Sequence, residues 1–136
     1  MPALPRLTFS KQERLRGKLR MENVVKKGKS VNEASFRLIG LPMVPPLFGG
    51  MPPNVRAQIA FAVPKRNLRE AVDRNTTKRR MREAYRLQKP EVIARLEERN
   101  LRCAWLFVYQ GKAVPAWELT QQKITSCLKR WLEVHG

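Results

Sequence analysis

Three parts of the chain have the patterns of polar and apolar residues that predict strands. Over residues 56–63, Ile59, Phe61 and Val63 share one side of the alternation, as in a half-buried strand. Residues 30–41 have strand character around Phe36. A continuous apolar run over 102–110 predicts a strand buried on both faces.

Helical spacing separates these strands. Ser10 and Glu13 have the spacing of a capping box, but Gly17 follows, so the first firm helix is predicted over about residues 18–27. A long basic helix is predicted over 69–88, ended by Pro90, with a short helix over 91–99 after that break. The last helix is predicted over residues 117–135. Its amphipathic stripe recurs at helical spacing and comprises Trp117, Gln121, Ile124, Leu128 and Trp131, all apolar except Gln121.

This order of elements predicts an α+β fold in which helices pack on one small sheet. A length of 136 residues corresponds to one domain, residues 1–136, with residues 1–9 expected to be flexible. Residues 40–56 contain five of the ten prolines, which predicts an exposed loop rich in proline and glycine. Its apolar side chains suit either a loop folded back on the core or a patch for a partner.

Charge indicates the class of partner. The formal net charge is +17, and residues 1–30 and 64–90 each carry +7 of it. Charge of one sign concentrated on two elements is typical of a protein that binds a polyanion. The single histidine, His135, leaves little scope for histidine-based catalysis or zinc binding. Cys103 and Cys127 lack CxxC spacing and are expected to be reduced core residues of a cytoplasmic protein, and no apolar run is long enough to span a membrane.

The basic helix carries its cations on one side. At 100° per residue, one arc of about 140° contains five cations and one amide. We call this set the basic arc; its members are Arg74, Asn75, Lys78, Arg79, Arg82 and Arg86. The acids Glu70, Asp73 and Glu83 are predicted to lie outside it.

Like charges four residues apart repel one another, so phosphate binding is favoured over a plain solvated face. About five phosphate contacts predict a slope near −4 in log K against log salt. The amide of Asn75 has three options, which are a base, a phosphate and the backbone of its own turn.

At this helix the sequence resembles the protein component of bacterial ribonuclease P. The matching segments are Ala60-Phe61-Ala62-Val63-Pro64-Lys65-Arg66 and the run from Ala71 to Arg86, which contains Ala-Val-Asp-Arg-Asn-Thr-Thr-Lys-Arg-Arg-Met-Arg-Glu. Arg14-Leu15 and Lys27-Gly28-Lys29-Ser30 also match. The resemblance implies a mostly antiparallel four-stranded sheet in the order αβββαβα. It also implies a fold like the second domain of ribosomal protein S5, with a left-handed crossover at the basic helix.

The resemblance also implies a function. In the family, the RNA subunit hydrolyses precursor tRNA with Mg²⁺ bound mainly by that RNA, and the protein binds this RNA and the 5′ leader. No cofactor on the protein, no membrane and no small-molecule substrate are expected. By position, the RNA contacts would be Lys65, Arg66, Arg74, Asn75, Lys78, Arg79, Arg82 and Arg86. The leader would lie between the first helix and the sheet, at Met21, Val25, Phe36, Ile39 and Phe61.

The chain departs from the family pattern at three places. Thr76 stands where the signature has a second arginine, so one contact is lost or transferred to Arg80. The connection before the basic helix is one residue longer. Met21, Val25 and Ile39 occupy positions that usually carry aromatic residues, which predicts weaker or differently arranged leader recognition. Phe36 and Phe61 remain as candidate stacking residues, and ordinary core packing is the alternative for Phe36.

Two other functions fit the same basic helix. A general RNA-binding or ribosome-associated domain would not discriminate by a 5′ leader. A DNA-binding helix is less favoured, since the basic arc offers phosphate contacts and few groups that read bases. Cleavage by this chain alone is disfavoured because its eleven acids are scattered.

Overall fold

The order of secondary-structure elements is the predicted αβββαβα. The computed structural model describes residues 9–43 and 54–136. A short 3₁₀ helix precedes the first α-helix. The elements are the 3₁₀ helix Lys11–Glu13, α1 Lys18–Lys27, β1 Lys29–Glu33, β2 Phe36–Met43, β3 Ala57–Ala62, α2 Ala71–Glu98, β4 Arg102–Tyr109 and α3 Trp117–His135. The α+β class is confirmed.

The four strands form one sheet in the order β1-β2-β4-β3. β1 pairs with β2 and β2 with β4 in antiparallel fashion, whereas β3 and β4 are parallel. The prediction of a mostly antiparallel sheet is therefore confirmed. α2 connects the two parallel strands, so the basic helix is the crossover of this fold; its left-handedness stays a prediction.

Helices cover both faces of the sheet, α2 and α3 on one face and α1 on the other. Side chains of β4 alternate between the two layers. Trp105 and Phe107 belong to the core under α2 and α3, while Ala104 and Leu106 belong to the smaller core under α1. The free cysteines Cys103 and Cys127 are both buried, as predicted.

The predicted end of the basic helix is wrong. α2 continues to Glu98 with Pro90 inside it, so the helices predicted over 69–88 and 91–99 are one element. Pro90 has no N–H to donate to the carbonyl four residues earlier, but its φ angle suits a helix. Val92 and Leu96 beyond it are buried in the main core, and this burial holds the last two turns in helical register.

The predicted loop over residues 40–56 also begins too early, because Gly40 to Met43 belong to β2. Pro42 pairs with Cys103 of β4, whose N–H donates to Arg56 on the opposite side. Pro42 therefore occupies a non-hydrogen-bonded position and its nitrogen faces away from β4. Glycine is required at position 40, since a Cβ atom at that position would lie 2.4 Å from the side chain of Trp105. Residues 44–53 of the predicted loop lie outside the described residues, whereas residues 54–56 are described and Val55 is buried.

The segment before α1 runs along β3, the edge strand of the sheet. The N–H of Leu15 donates to the carbonyl of Ile59 at 3.0 Å. Phe9 packs edge-on against Phe61 and Tyr85, so the expected flexibility does not extend to Phe9. Residues 1–8 lie outside the described part of the chain. This docking brings the cations at positions 14 and 16 next to α2.

Candidate nucleic-acid interface

The exposed side of α2 carries the basic arc. Asn75, Arg79 and Arg82 are exposed, while the other members of the arc are half-buried at its border with the core. The opposite side of the helix is fully buried through Thr77, Met81, Ala84 and Tyr85. Packing of this apolar side on the sheet therefore orients the arc toward solvent.

Arg74 fixes the connection between β3 and α2. Its Nη1 donates to the carbonyl of Leu68 at 2.8 Å and to that of Arg69 at 2.7 Å. Leu68 is buried, which anchors this connection to the core. Lys65 and Arg66 lie in the turn at the start of this connection, and both are exposed. They thus precede α2 in the chain and are open to solvent.

Glu83 is not separated from the basic arc, contrary to the prediction. Arg86 donates from Nε and Nη2 to the two carboxylate oxygens of Glu83, at 3.0 and 2.5 Å. The hydrogen bonds from Arg86 lower the pKa of Glu83 below its usual range. Helical angles place the two residues about 60° apart, close enough for a three-residue pair on one helix surface. Arg86 is therefore already neutralised in part.

A basic cleft of about 200 Å³ lies between the docked segment and α2. Four cations border it, two from each side. They are Arg14 and Arg16 on the segment and Lys78 and Arg82 on α2. Arg14 lies over the ring of Phe9 at 5.5 Å, and its buried Nε has no hydrogen-bond partner among the described residues.

Sequence reasoning missed Arg14 and Arg16 as members of the interface. Their segment carries one of the two concentrations of charge, but periodicity alone gives no information on where an irregular segment docks. Convergence of cations from two elements is favourable only when an anion occupies the space between them. The cleft and the basic arc share Lys78 and Arg82, so together they form one continuous cationic surface.

The five residues predicted for a leader cleft lie on opposite faces of the sheet. Met21 and Ile39 belong to the core under α1, and the side chain of Val25 is 55% exposed on the same helix. Phe36 is 1% exposed in the core under α2 and α3, with its ring 4.9 Å from that of Tyr109. A ring this deeply buried offers no free face to a base, which favours the core alternative for Phe36.

Phe61 lies on the face of α2 and α3, where it borders the basic cleft. Its ring is parallel to that of Phe107, with centroids 6.0 Å apart. The exposed face of α1 combines apolar and charged side chains. A depression of about 520 Å³ there is lined by Lys18, Met21, Glu22, Val25 and Lys26.

The structure shows the surroundings of two positions of the basic helix, Asn75 and Thr76. The amide of Asn75 makes no hydrogen bond to the described residues, so it is available to a ligand. Thr76 is half-buried, and Arg80, the candidate substitute, donates from Nη1 to the carbonyl of Pro115 at 2.6 Å. Arg80 therefore lies between α2 and the start of α3.

Within residues 9–43 and 54–136, no three His, Cys, Asp or Glu side chains come together as ligands for a metal ion. No helix in the same ranges is both long and apolar enough to cross a membrane.

A basic segment docked beside a basic crossover helix on an α+β fold is typical of proteins that bind nucleic acid. Residues 9–133 match the family model described as Ribonuclease P. This match covers most of the chain, so the chain belongs to the ribonuclease P protein family.

Relatives and solved structures agree with this assignment. The chain is 39% identical over 75 residues to the ribonuclease P protein component of Chlorobium phaeobacteroides, across 50% of this chain and 51% of that protein. It is 34% identical over 86 residues to the corresponding protein of Chlorobaculum tepidum, across 59% of this chain and 56% of that protein. In these alignments, the chain spans about half the length of the curated relatives it matches.

The fold is similar to that of two ribonuclease P proteins of known structure. The Staphylococcus aureus protein superposes with a TM-score of 0.67 at 19% identity, covering 87% of this chain and 94% of that one. The Thermotoga maritima protein superposes with a TM-score of 0.65 at 23% identity, covering 87% of this chain and 96% of that one.

Proposed function

We propose that this chain is the protein subunit of ribonuclease P and assists Mg²⁺-dependent removal of the 5′ leader from precursor tRNA. Its partners are then the ribonuclease P RNA and precursor tRNA. The RNA subunit supplies the bound Mg²⁺ and the hydrolytic chemistry. The described residues of this chain bind and orient RNA.

The observation that carries the proposal is the convergence of cations from two elements on one surface. Arg14 and Arg16 of the docked segment face Lys78 and Arg82 of α2 across the basic cleft. Arg79 extends this surface along the helix, and Lys65 and Arg66 extend it at the turn. Arginine favours forked contacts to phosphate, so the surface suits a folded RNA backbone.

Two RNA molecules repel each other when they assemble, and this protein lowers that repulsion. Residues 1–30 and 64–90 concentrate most of the net charge of +17, and Arg14 and Arg16 of the first and Lys78 and Arg82 of the second border the basic cleft. Lower repulsion between the RNAs reduces the number of diffuse counterions that assembly requires. Fewer counterions then compete with Mg²⁺ for the RNA, so Mg²⁺ binding to the RNA is favoured. The protein is therefore expected to lower the Mg²⁺ concentration at which cleavage occurs.

The leader is proposed to lie along α1, on the opposite face of the sheet from α2. Lys18 and Lys26 provide positive charge there, while Met21 and Val25 provide aliphatic contacts. Base–aromatic stacking contributes about 1–3 kcal/mol per base, and this aliphatic surface lacks that contribution. Leader recognition is accordingly expected to rely on backbone charge more than on stacking.

Equilibrium binding tests the proposal in two comparisons. The first measures affinity for the cognate ribonuclease P RNA and for an unrelated structured RNA of equal length. The second measures affinity of the RNA–protein complex for precursor tRNA and for mature tRNA. We expect preference for the cognate RNA, and a leader-dependent gain that requires the protein.

Equal affinity for both structured RNAs, with no leader-dependent gain, would instead support the general RNA-binding domain. Preference for duplex DNA over folded RNA would support the DNA-binding alternative. Both outcomes would contradict the proposed subunit role.

A further inference from the structure

A second concave surface adjoins the basic arc on the side away from the basic cleft. It is a shallow depression of about 330 Å³ between α2 and the first residue of α3. Arg79, Arg80 and Glu83 line it from α2, and Trp117 lines it from α3. Arg79 belongs to both the basic arc and the depression, so the two surfaces are continuous.

Trp117 differs from the other two tryptophans of the chain. Trp105 and Trp131 are completely buried, whereas Trp117 packs against the main core on one side and stays partly exposed on the other. Its indole N–H has no hydrogen-bond partner among the described residues. A tryptophan that presents both an exposed ring and an unused donor can contact a ligand.

The backbone around Trp117 is held in place on both sides. Arg80 donates to the carbonyl of Pro115 at 2.6 Å, which ties the entry to α3 onto α2. The hydroxyl of Thr120 donates to the carbonyl of Ala116 at 2.8 Å, and the backbone N–H of Thr120 donates to the same carbonyl at 3.0 Å. A ring on a fixed backbone loses little entropy when a partner stacks on it.

The composition of the depression favours a base over a phosphate. Glu83 brings a carboxylate, which Arg86 keeps ionised, and this charge repels phosphate but accepts hydrogen bonds from the amino groups of bases. Arg79 at the rim can bind the phosphate that precedes or follows such a base. Trp117 then provides the flat surface on which the base stacks.

We propose that Trp117 is a stacking platform for one unpaired base of the RNA that occupies the basic arc, with Arg79 on the adjacent phosphate. The inference rests on the proposed function, since that RNA is taken to be ribonuclease P RNA. It adds α3 to an interface otherwise formed by α2 and the docked segment.

Three substitutions in the full chain test the platform by affinity for ribonuclease P RNA. Trp117→Leu is expected to weaken binding about tenfold, and Trp117→Phe less than about threefold, because phenylalanine retains stacking. The slope of log K against log salt should stay unchanged in both, since no charge is removed. Arg79→Gln should make that slope shallower by about 0.7–0.9.

A matched control lies two residues further along α3. Leu119 is 41% exposed and lines none of the depression, so Leu119→Ala should leave RNA affinity unchanged. Thermal unfolding of each variant reports whether it is folded before its affinity is compared.

Fluorescence of the unsubstituted protein gives a readout that does not depend on any variant being stable. RNA binding should quench the indole emission of Trp117 and shield its ring from quenching by acrylamide. Both effects should disappear in Trp117→Phe, because Trp105 and Trp131 are already buried. Unchanged acrylamide access to Trp117 in the RNA complex would overturn the platform, as would unchanged RNA affinity in folded Trp117→Leu.

The same fluorescence experiment with unrelated structured RNA separates this inference from the proposed function. Equal affinity for the two RNAs with protection of Trp117 in both would overturn the subunit role while supporting the platform. Preference for ribonuclease P RNA without protection of Trp117 would support the subunit role and overturn the platform.

Discussion

The cations of the basic arc differ in what they already contact within the protein. Arg74 donates to two carbonyls of the preceding connection, and Arg86 pairs with Glu83. Arg79 and Arg82 are exposed and make no hydrogen bond or ion pair with the described residues. Hydrogen-bonded arginines contribute to stability as well as to charge, whereas the exposed pair is available to phosphate alone.

This difference predicts opposite effects for two matched substitutions. Arg74→Gln should lower the free energy of unfolding by about 1–2 kcal/mol, because two carbonyls lose their donor. Arg82→Gln should leave stability unchanged and make the salt slope of RNA binding shallower by about 0.7–0.9. Urea denaturation and binding titrations at several salt concentrations measure the two effects. Equal stability loss in both variants would contradict the distinction.

The buried thiols give a pH dependence whose sign follows from their environment. Burial raises the pKa of Cys103 from an ordinary 9.0 to about 12, and burial likewise raises the pKa of Cys127 to about 12. Between about pH 9 and 12 the unfolded chain has lost these protons while the folded chain keeps them. Stability therefore falls as pH rises through this window and is unaffected by the thiols below it.

Urea denaturation near pH 8 and about pH 10.5 should show a loss of about 2 kcal/mol per thiol from this cause. Cys103→Ala should show a smaller loss across the same interval, because one of the two thiols is gone. An identical loss in that variant would contradict the assignment. In the folded protein both thiols should also react slowly with a thiol reagent, and both should react on unfolding.

Local sequence rules predicted most elements and failed where tertiary packing overrides them. Alternation around Ile59 and the stripe that ends at Trp131 placed β3 and α3 within a residue of their bounds. Proline rules failed twice. Pro90 is tolerated in α2 because Val92 and Leu96 are buried beyond it, and Pro42 is tolerated in β2 because its nitrogen faces away from β4. Sequence spacing alone predicts neither the burial of Val92 and Leu96 nor the orientation of Pro42 relative to β4.

The account of α2 predicts that Pro90→Ala stabilises the protein. Alanine restores an N–H for the carbonyl four residues earlier and has a high helix propensity, so the free energy of unfolding should rise by about 1–3 kcal/mol. RNA affinity should stay the same, because Pro90 lies outside both the basic arc and the basic cleft. A decrease in stability would show that the proline ring contributes packing that outweighs the hydrogen bond.

The α1 surface allows a test by gain of function. Val25 is 55% exposed beside Lys18 and Met21, in the place proposed for the leader. Val25→Phe adds a stacking surface and should strengthen binding of precursor tRNA by about fivefold or more. Binding of mature tRNA should not change, and Val134→Phe, at an exposed position of α3, is the matched control. An equal gain for mature tRNA would contradict a leader site on α1.

At the scale of the whole molecule, the fold brings parts of two separate concentrations of charge onto one surface. Sequence reasoning located both segments and assigned the α2 residues from the resemblance. It could not place Arg14 and Arg16 opposite Lys78 and Arg82, because this proximity depends on the docking of Leu15 on the edge of β3. It also grouped Phe36 and Phe61 with Ile39 in one cleft, whereas Ile39 lies on the opposite face of the sheet. Strand residues alternate between the two faces, and only the pairing of the strands shows which helices cover each face.

This surface predicts how strongly salt weakens RNA binding. The basic cleft and the exposed side of α2, taken without Lys65 and Arg66 of the turn, offer five cations that are not hydrogen-bonded elsewhere among the described residues, and these are Arg14, Arg16, Lys78, Arg79 and Arg82. Five phosphate contacts correspond to a slope of about −4 in log K against log salt. Replacing Arg14 and Arg16 together by glutamine should reduce the magnitude of the slope by about 1.5–2. An unchanged slope would place RNA on α2 alone.

The central claim is that this chain acts with ribonuclease P RNA and does not itself cleave. Cleavage of a precursor tRNA at low Mg²⁺, by the cognate RNA with and without the protein, tests it most directly, with the protein alone as control. Acceleration only in the mixture, at the mature 5′ end, is the predicted result. Cleavage by the protein alone, or no acceleration despite tight RNA binding, would contradict the account.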